Sequence, residues 1–383
     1  PMTIWGNYNK KFPIFYDSEK VLELYDIIAK NIEVLPGSKL YCTVDGILYS
    51  KDMHTLIRCP LLKTGHVDIP DGVSEIGKYA FRLGRINSVS LPDSLVKIER
   101  MAFFNSKISD ISFGKGIKKI GESYSFSICA NLTRLILPPQ AEEIGDSVFS
   151  DCKNLSEVIF NSRLVLISRR AFSGCDSLEK VVIPESVQKI EKSALNKVQH
   201  VVFHGNPASH VAIAFIREKP ATEYMPDTAS YTIRIDLPGN KTAYMPRYVK
   251  FDDIYTISDI ISKPNLAIAD ILTLHAYASS TISKQEAAIL TYSAYKDKAM
   301  DESGLIEKQK LYTYCKRSAK SYVESILDQN KDKNIVQVLN AGLLSNKALK
   351  DLMDEVDENS ILRPYMLEAM QKTKHVQQKR FNV

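Results

Sequence analysis

Ile69-Pro70-Asp71-Gly72-Val73-Ser74-Glu75-Ile76-Gly77-Lys78-Tyr79-Ala80-Phe81 and Leu91-Pro92-Asp93-Ser94-Leu95-Val96-Lys97-Ile98-Glu99-Arg100-Met101-Ala102-Phe103 are two versions of one phrase, set 22 residues apart. Each begins with an apolar residue, carries an isoleucine seven positions later and closes on Ala-Phe. Followed outward, the first position recurs at Ile69, Leu91, Phe113, Leu137, Phe160, Ile183 and Phe203, with spacings of 22, 22, 24, 23, 23 and 20 residues. The isoleucine column continues through Ile76, Ile98, Ile120, Ile144, Ile167 and Ile190. A third column holds Phe81, Phe103, Phe126, Phe149, Phe172 and Leu195, and a fourth Ile86, Ile108, Leu132, Leu155, Leu178 and Val198. A fixed period of this length is the sequence signature of a repeat architecture.

A coil of some 23 residues cannot bury its own apolar side, so stacked coils must share one core in which each column forms a ladder. Each buried Ile, Leu or Phe contributes about 1.5–3 kcal/mol. Pro70, Pro92, Pro138 and Pro184 directly follow the anchors, where a missing N–H and a fixed φ end a strand. Phe113-Gly114 and Phe160-Asn161 lack that proline, and Leu195 stands where the other coils have Phe. In the middle of the array, Ile144 and Phe149 are predicted to be fully buried.

Strand side chains alternate between faces. If the anchors point inward, so do Val67, Val89, Ile111, Leu135, Val158, Val181 and Val201. The residues between them must then face out: Asp68, Ser90, Ser112, Ile136, Ile159, Val182 and Val202. The first three are polar; the last four are β-branched and apolar. Beside them runs a second outward column, His66, Ser88, Asp110, Arg134, Glu157, Lys180 and His200. An apolar stripe with a charged rim has the composition of an interface. Ile136, Ile159, Val182, Val202, Arg134, Glu157 and Lys180 are therefore the candidate partner-binding residues. Three readings stay open: a surface for another protein, a strip covered by a later part of the chain, or an ordinary exposed strand face that tolerates apolar residues.

The repeated phrase resembles the BspA-like bacterial class of leucine-rich repeats. So does the lead-in Val44-Asp45-Gly46-Ile47-Leu48-Tyr49-Ser50, similar to that family's first capping coil. Gly205-Asn206-Pro207 followed by Val211-Ala212-Ile213-Ala214-Phe215-Ile216 is similar to its terminal cap. The resemblance spans about residues 41–222 and implies a curved solenoid used for protein or surface-ligand recognition, without enzymatic activity of its own.

The flanks differ in pattern. Residues 1–40 are expected to form a helical cap, with Asp17 or Ser18 as N-cap and Val21, Leu24, Tyr25, Ile28 and Ile32 at helical spacing. In 223–263, Tyr231, Ile233, Ile235 and Leu237 alternate with polar residues before the turn Pro238-Gly239-Asn240, which predicts a hairpin or linker. Residues 264–383 are expected to be helical, with Ser283 and Glu286 at capping-box spacing and one apolar face on Leu311, Cys315, Ala319, Tyr322 and Ile326. Gly342 and caps near Ser345 and Asn359 divide the remainder into short helices. The pair Ile335–Leu339 and Ala348–Met353 resembles the antiparallel helices of ankyrin-like or other α-solenoids; a compact bundle is the alternative. The basic tail from Lys372 to Arg380 is expected to fray. The whole reads as an α/β leucine-rich-repeat solenoid of short, 22–24-residue repeats followed by a mainly α-helical C-terminal domain.

Composition narrows the function classes. A net charge of +5 from 50 basic and 45 acidic residues is too small to argue for nucleic acid, and no apolar run approaches the roughly 20 residues of a membrane span. Lys308, Lys310, Lys316, Arg317 and Lys320 with Tyr277, Tyr292, Tyr295, Tyr312, Tyr314 and Tyr322 read as a solvated face over a tyrosine-rich core rather than a stacking platform. Pro1-Met2-Thr3-Ile4-Trp5 lacks the pattern of a secretory signal, so a cytoplasmic location is expected; cell surface or secretion is the alternative if a leader preceded it. Cys129, Cys152 and Cys175 fall 23 residues apart at the position of Gly84 and Ser106 and read as stacked small hydrophobes.

Catalytic signatures are missing: there is no phosphate loop, zinc-protease helix, nucleophile elbow or calcium loop. His200, His204 and His210 have no thiol or carboxylate at ligand spacing, so neither metal nor cofactor is expected. Cys315 has basic neighbours, but Arg317 stands where a Cys-x-Asp ubiquitin-ligase motif would need its acid, and the residue shares the apolar helix stripe. The leading expectation is a protein–protein recognition module or scaffold binding a protein partner through the solenoid face. The alternative is an effector-like enzyme with its site in the helical domain.

Overall fold

The apolar runs that end at proline are short β-strands that pair in parallel from coil to coil, as the repeat requires. The computed structural model describes residues 2–5, 11–14, 28–34, 37–215, 217–218, 231–329 and 331–381. The chain divides into two units, Pro1–Phe215 and Ile216–Val383.

The first unit opens with an antiparallel sheet of β1 (Met2–Trp5), β2 (Lys11–Ile14) and β3 (Asn31–Val34), in the order β2-β1-β3. Ile32, expected on a helix, is therefore on a strand; Asp17, Ser18, Val21, Leu24 and Tyr25 lie outside the described residues. The capping role survives in another form, because Ala29 and Ile32 pack with Tyr41, Leu48 and Ile57 of the first coil. That coil is β4 (Tyr41–Val44), β5 (Ile47–Ser50) and β6 (Thr55–Arg58). Asp45 and Gly46 join β4 to β5 with φ of 50° and 73°, the double positive φ that makes Asp-Gly a tight hairpin turn.

The repeat strands follow as β7 (Thr64–Asp68), β8 (Glu75–Ile76), β9 (Arg85–Ser90), β10 (Lys97–Ile98), β11 (Asp110–Ser112), β12 (Lys119–Ile120) and β13 (Arg134–Ile136). They continue as β14 (Glu143–Ile144), β15 (Glu157–Ile159), β16 (Leu166–Ile167), β17 (Lys180–Ile183), β18 (Lys189–Ile190) and β19 (His200–Phe203). About seven turns are present between residues 55 and 203. The odd-numbered strands from β7 to β15 lead directly into the anchors, and β17 and β19 include theirs, Ile183 and Phe203. The even-numbered ones pair the isoleucine column, Ile98 with Ile76, Ile144 with Ile120 and Ile167, and Ile167 with Ile190. This second ladder is exposed on its charged side, where Lys119 pairs with Glu122 and Glu143 at 3.3 Å each and Arg169 with Asp146 at 2.7 Å.

All three inner columns after the anchors are buried. The phenylalanines stack ring on ring, with centroids 4.6 Å apart for Phe81–Phe103, 4.8 Å for Phe103–Phe126, 5.3 Å for Phe126–Phe149 and 5.4 Å for Phe149–Phe172. Phe113 and Phe160, two of the anchors without a following proline, are half-buried and meet the stack edge-on at Phe126 and Phe172, with centroids 6.3 and 6.0 Å apart. Asn161 fills the proline's place by donating its amide to the carbonyls of Pro138 and Ala141 in the preceding coil. Cys129, Cys152 and Cys175 are free and buried, each thiol donating to the carbonyl of Phe103, Phe126 or Phe149 at 3.1–3.2 Å. The terminal cap is a 3-10 turn, Val211–Ala214, that buries Val211, Ala212, Ala214 and Phe215.

A further ladder is made by backbone alone. Tyr79, Met101, Tyr124, Ser147, Arg170 and Ser193, two residues before each member of the phenylalanine column, all have φ between 55° and 62°. Such a conformation costs a non-glycine residue about 1–2 kcal/mol. It aims the next N–H groups along the solenoid, so that Phe126, Phe149 and Phe172 donate to Val148, Ala171 and Ala194 at 2.8–2.9 Å.

The second unit holds β20 (Arg217–Glu218), the predicted hairpin as β21 (Thr232–Leu237) and β22 (Lys241–Pro246), and β23 (Tyr248–Val249). Its helices are α1 (Phe251–Ile261), α2 (Ile268–Thr273), α3 (Thr281–Tyr295), α4 (Glu302–Ile326), α5 (Asp332–Ala341), α6 (Asn346–Glu355) and α7 (Leu362–Phe381). Helix thus begins at Phe251, inside the stretch 223–263 assigned to hairpin and linker. The α3 cap is Ser280, whose hydroxyl accepts from the Ser283 N–H at 3.3 Å. Glu286 is instead fully buried, accepting from the Thr232 and Tyr322 hydroxyls at 2.8 Å and the Asn334 amide at 3.2 Å. It ties the hairpin to α3, α4 and α5. Helix α5 packs equally on α3 and α7 and also meets α4, and α6 packs on α7, so the two are not a separate pair, which favours a bundle over a solenoid of helical hairpins. The tail expected to fray continues as helix to Phe381.

Candidate partner-binding face

The strand register places the outward columns as read. Arg134 lies opposite Glu157 and Ile136 opposite Ile159 across β13 and β15; Lys180 lies opposite His200 and Val182 opposite Val202 across β17 and β19. Their inward neighbours Leu135, Val158, Val181 and Val201 are buried. Ile136, Ile159 and Val182 are 50%, 39% and 38% exposed, whereas Val202 is half-buried. Ile111 departs from the inward pattern in being only half-buried.

At the other end of the same face the polar residues satisfy one another. His66 lies 2.8 Å from the Ser88 hydroxyl, 2.9 Å from Asp68 and 3.0 Å from the Ser90 hydroxyl. The His66 hydrogen bond, the largest influence, and that of Ser90 hold the Asp68 carboxyl below its ordinary pKa. The face therefore changes along the solenoid from a closed polar network to an apolar strip with separate charges.

That strip borders a groove of about 570 Å³, lined among others by Glu157, Ile159, Phe160, Lys180, Val182 and His204. Phe160 and His204 belong to the groove but were not among the residues picked from the strand pattern, since they come from the anchor and turn positions beyond it. The missing proline after Phe160 was the available signal. On one rim Arg134 Nε pairs with Glu157 Oε2 at 2.8 Å, both side chains about half exposed. The volume is within the ordinary range of ligand clefts, and the lining is a mixture of apolar surface and a few charges. This arrangement can hold apolar side chains and orient them by charge.

The other candidates carry no such geometry. Among the described residues no group of histidine, cysteine and carboxylate side chains is placed to hold a metal, so His200, His204 and His210 do not form a centre. Cys315 is buried, and its burial pushes the thiol up to about 12, unlike an activated nucleophile. Tyr295 and Tyr322 are core residues, and Lys310 and Lys320 are paired with Glu307 and Asp351, each at 2.7 Å. Among the described residues no helix is long and apolar enough to cross a membrane.

Comparison with known proteins bears on the repeats. A family model described as BspA type leucine rich repeat region, in six copies, matches residues 59–162 and 122–215. No curated protein matches the chain significantly. Among solved structures, the pneumococcal vaccine antigen PcpA is 25% identical, over 45% of this chain and 45% of that one, with a TM-score of 0.41. A leucine-rich repeat protein from Eubacterium ventriosum is 25% identical over 44% of this chain and 53% of its own, with a TM-score of 0.38. The T. pallidum leucine rich repeat protein is 26% identical over 45% of this chain and 82% of its own, with a TM-score of 0.38. The chain spans about half the length of the first two. Together with the parallel ladders and stacked phenylalanines, the family match makes residues 59–215 a BspA-type leucine-rich-repeat region.

Proposed function

We propose that the chain is a protein-recognition module and that the outward face of β13, β15, β17 and β19 is its binding surface. The observation that carries this is the exposure of Ile136, Ile159 and Val182 in one column on successive coils, beside the groove. Contiguous β-branched surface of this kind is unfavourable in water unless something covers it, and burying an exposed Ile or Val fully contributes about 1.5–3 kcal/mol. Arg134, Glu157 and Lys180 supply the polar rim that fixes orientation. A family used for recognition fits the same reading.

The test is affinity capture from the source cells with the full chain and with the double variant Ile159→Asp/Val182→Asp. Stoichiometric partners retained by the parent and lost by the variant, at equal melting temperature, support the surface. A variant that melts lower and is cleaved more readily after Phe215 shows that the strip is covered within the chain, and unchanged capture removes the assignment.

A further inference from the structure

We infer that the groove over β15 and β17 receives an extended segment of a partner protein that carries an acidic residue two positions from a large apolar one. The inference rests on the reading of this face as a protein-binding surface and adds the chemistry of the partner.

The charges decide the sign. The carboxylate on the groove rim, Glu157, is already answered by Arg134 at 2.8 Å. Lys180, on the next coil, has no ion-pair or hydrogen-bond partner among the described side chains, and neither has the His204 ring at the far side of the groove. Counted over Arg134, Glu157 and Lys180, the rim has one positive charge left over, and it sits on an exposed side chain directly beside the apolar floor. An acidic group is therefore the complement, while a basic one would meet like charge.

The spacing decides the pattern. Lys180 and Val182 are two residues apart on β17 and project from the same face, about 6.6 Å along the strand. A partner segment in extended conformation presents its own i and i+2 side chains at that same interval. An Asp or Glu at i over Lys180 puts an apolar side chain at i+2 over Val182 and Ile159, whose exposed surfaces flank the groove. Backbone pairing is not needed, because the groove lies on the face of the sheet and the contacts are between side chains.

Fluorescence anisotropy with labelled synthetic peptides of repeating Asp-Ser-Phe-Ser, in which each Asp stands two positions from a Phe, and matched peptides with Lys or Ser in place of Asp, tests this on the full chain. The acidic peptide is expected to bind, Lys180→Glu to weaken it about tenfold, and the same variant to strengthen the Lys peptide. Val182→Asp is expected to abolish binding of the acidic peptide. Lys180 is exposed, so an unchanged circular dichroism spectrum separates lost binding from lost fold. Equal binding of the Lys or Ser peptides, no binding of the acidic peptide, or indifference to Lys180→Glu overturns the acidic partner. If that happens while cellular capture still depends on Ile159 and Val182, only the partner chemistry is wrong; if capture is independent of both, the binding face falls with it.

Discussion

Phe149→Ala removes the middle of the stacked column. The ring is fully buried, held between Phe126 and Phe172 with centroids 5.3 and 5.4 Å away. Truncating a buried phenylalanine costs about 3–5 kcal/mol, the spread depending on how far the site collapses. Collapse is restricted here, because the residue's own N–H is bonded to Ala171 and the N–H of Phe126 to Val148, so the backbone ladder holds the coils at their spacing. The cost is therefore expected near the upper end of that range. Phe113→Ala is the control: its ring is half-buried and meets the column only edge-on at Phe126, and about 1–2 kcal/mol is expected. Phe149→Leu should fall between them, since Leu195 occupies the same column fully buried. Urea unfolding followed by circular dichroism measures all three, a 4 kcal/mol loss moving the midpoint by about 2 M at a slope near 2 kcal/mol/M. A Phe149→Ala cost no larger than that of Phe113→Ala would show that the column is not the packed core of the array.

In the second unit, Glu286→Ala should destabilise by about 3 kcal/mol or more, because it leaves the Thr232 and Tyr322 hydroxyls and the Asn334 amide without their common acceptor; Glu286→Gln keeps one acceptor and should cost less. Urea or thermal unfolding of the two variants checks the order, and equal costs refute it. Native alkylation read by mass spectrometry should modify Cys42, which is partly exposed, and spare Cys59, Cys129, Cys152, Cys175 and Cys315; burial pushes the Cys59 and Cys315 thiols up to about 12. Burial lowers the pKa of His275, so the unfolded chain takes up the proton first, and stability present above the unfolded value of about 6.5 should be lost as pH falls below it. Melting temperature against pH should show a shallower decline for His275→Gln, and identical profiles would refute the assignment.

The repeat was legible because its demands fall on side chains. Four columns at fixed offsets need apolar residues, so Ile144 and Phe149 could be placed in the core from spacing alone, and they are buried. The left-handed turn residues were not legible for the opposite reason: Tyr79, Met101, Tyr124, Ser147 and Arg170 share a conformation but no chemistry, since what stabilises it is backbone hydrogen bonding to the next coil. Glu286 shows a third case. Its spacing from Ser283 has the form of a capping box, yet its carboxylate is used by Thr232, Tyr322 and Asn334, partners that only the tertiary fold brings to it. Of the proposed binding face, the strand residues followed from alternation, while Phe160 and His204 come from anchor and turn positions beyond the strand, which alternation does not describe.

The same division separates the positions that hold the solenoid together from those that are free to vary. Inward positions are held by ladders that every coil must continue, and the turns are held by backbone bonds that ignore side-chain identity. The outward positions of the odd-numbered strands are bound by neither condition. They differ from coil to coil: Asp68 and Ser90 close a network around His66, Ser112 is exposed, and Ile136, Ile159 and Val182 present apolar surface. A substitution there changes what the face can meet while leaving the ladders intact, so its effect on unfolding should stay within about 0.5 kcal/mol. Ile159→Asp/Val182→Asp is informative for that reason. The two residues present exposed apolar surface on neighbouring coils, and loss of binding at constant stability is the outcome that a purely structural strip would not produce.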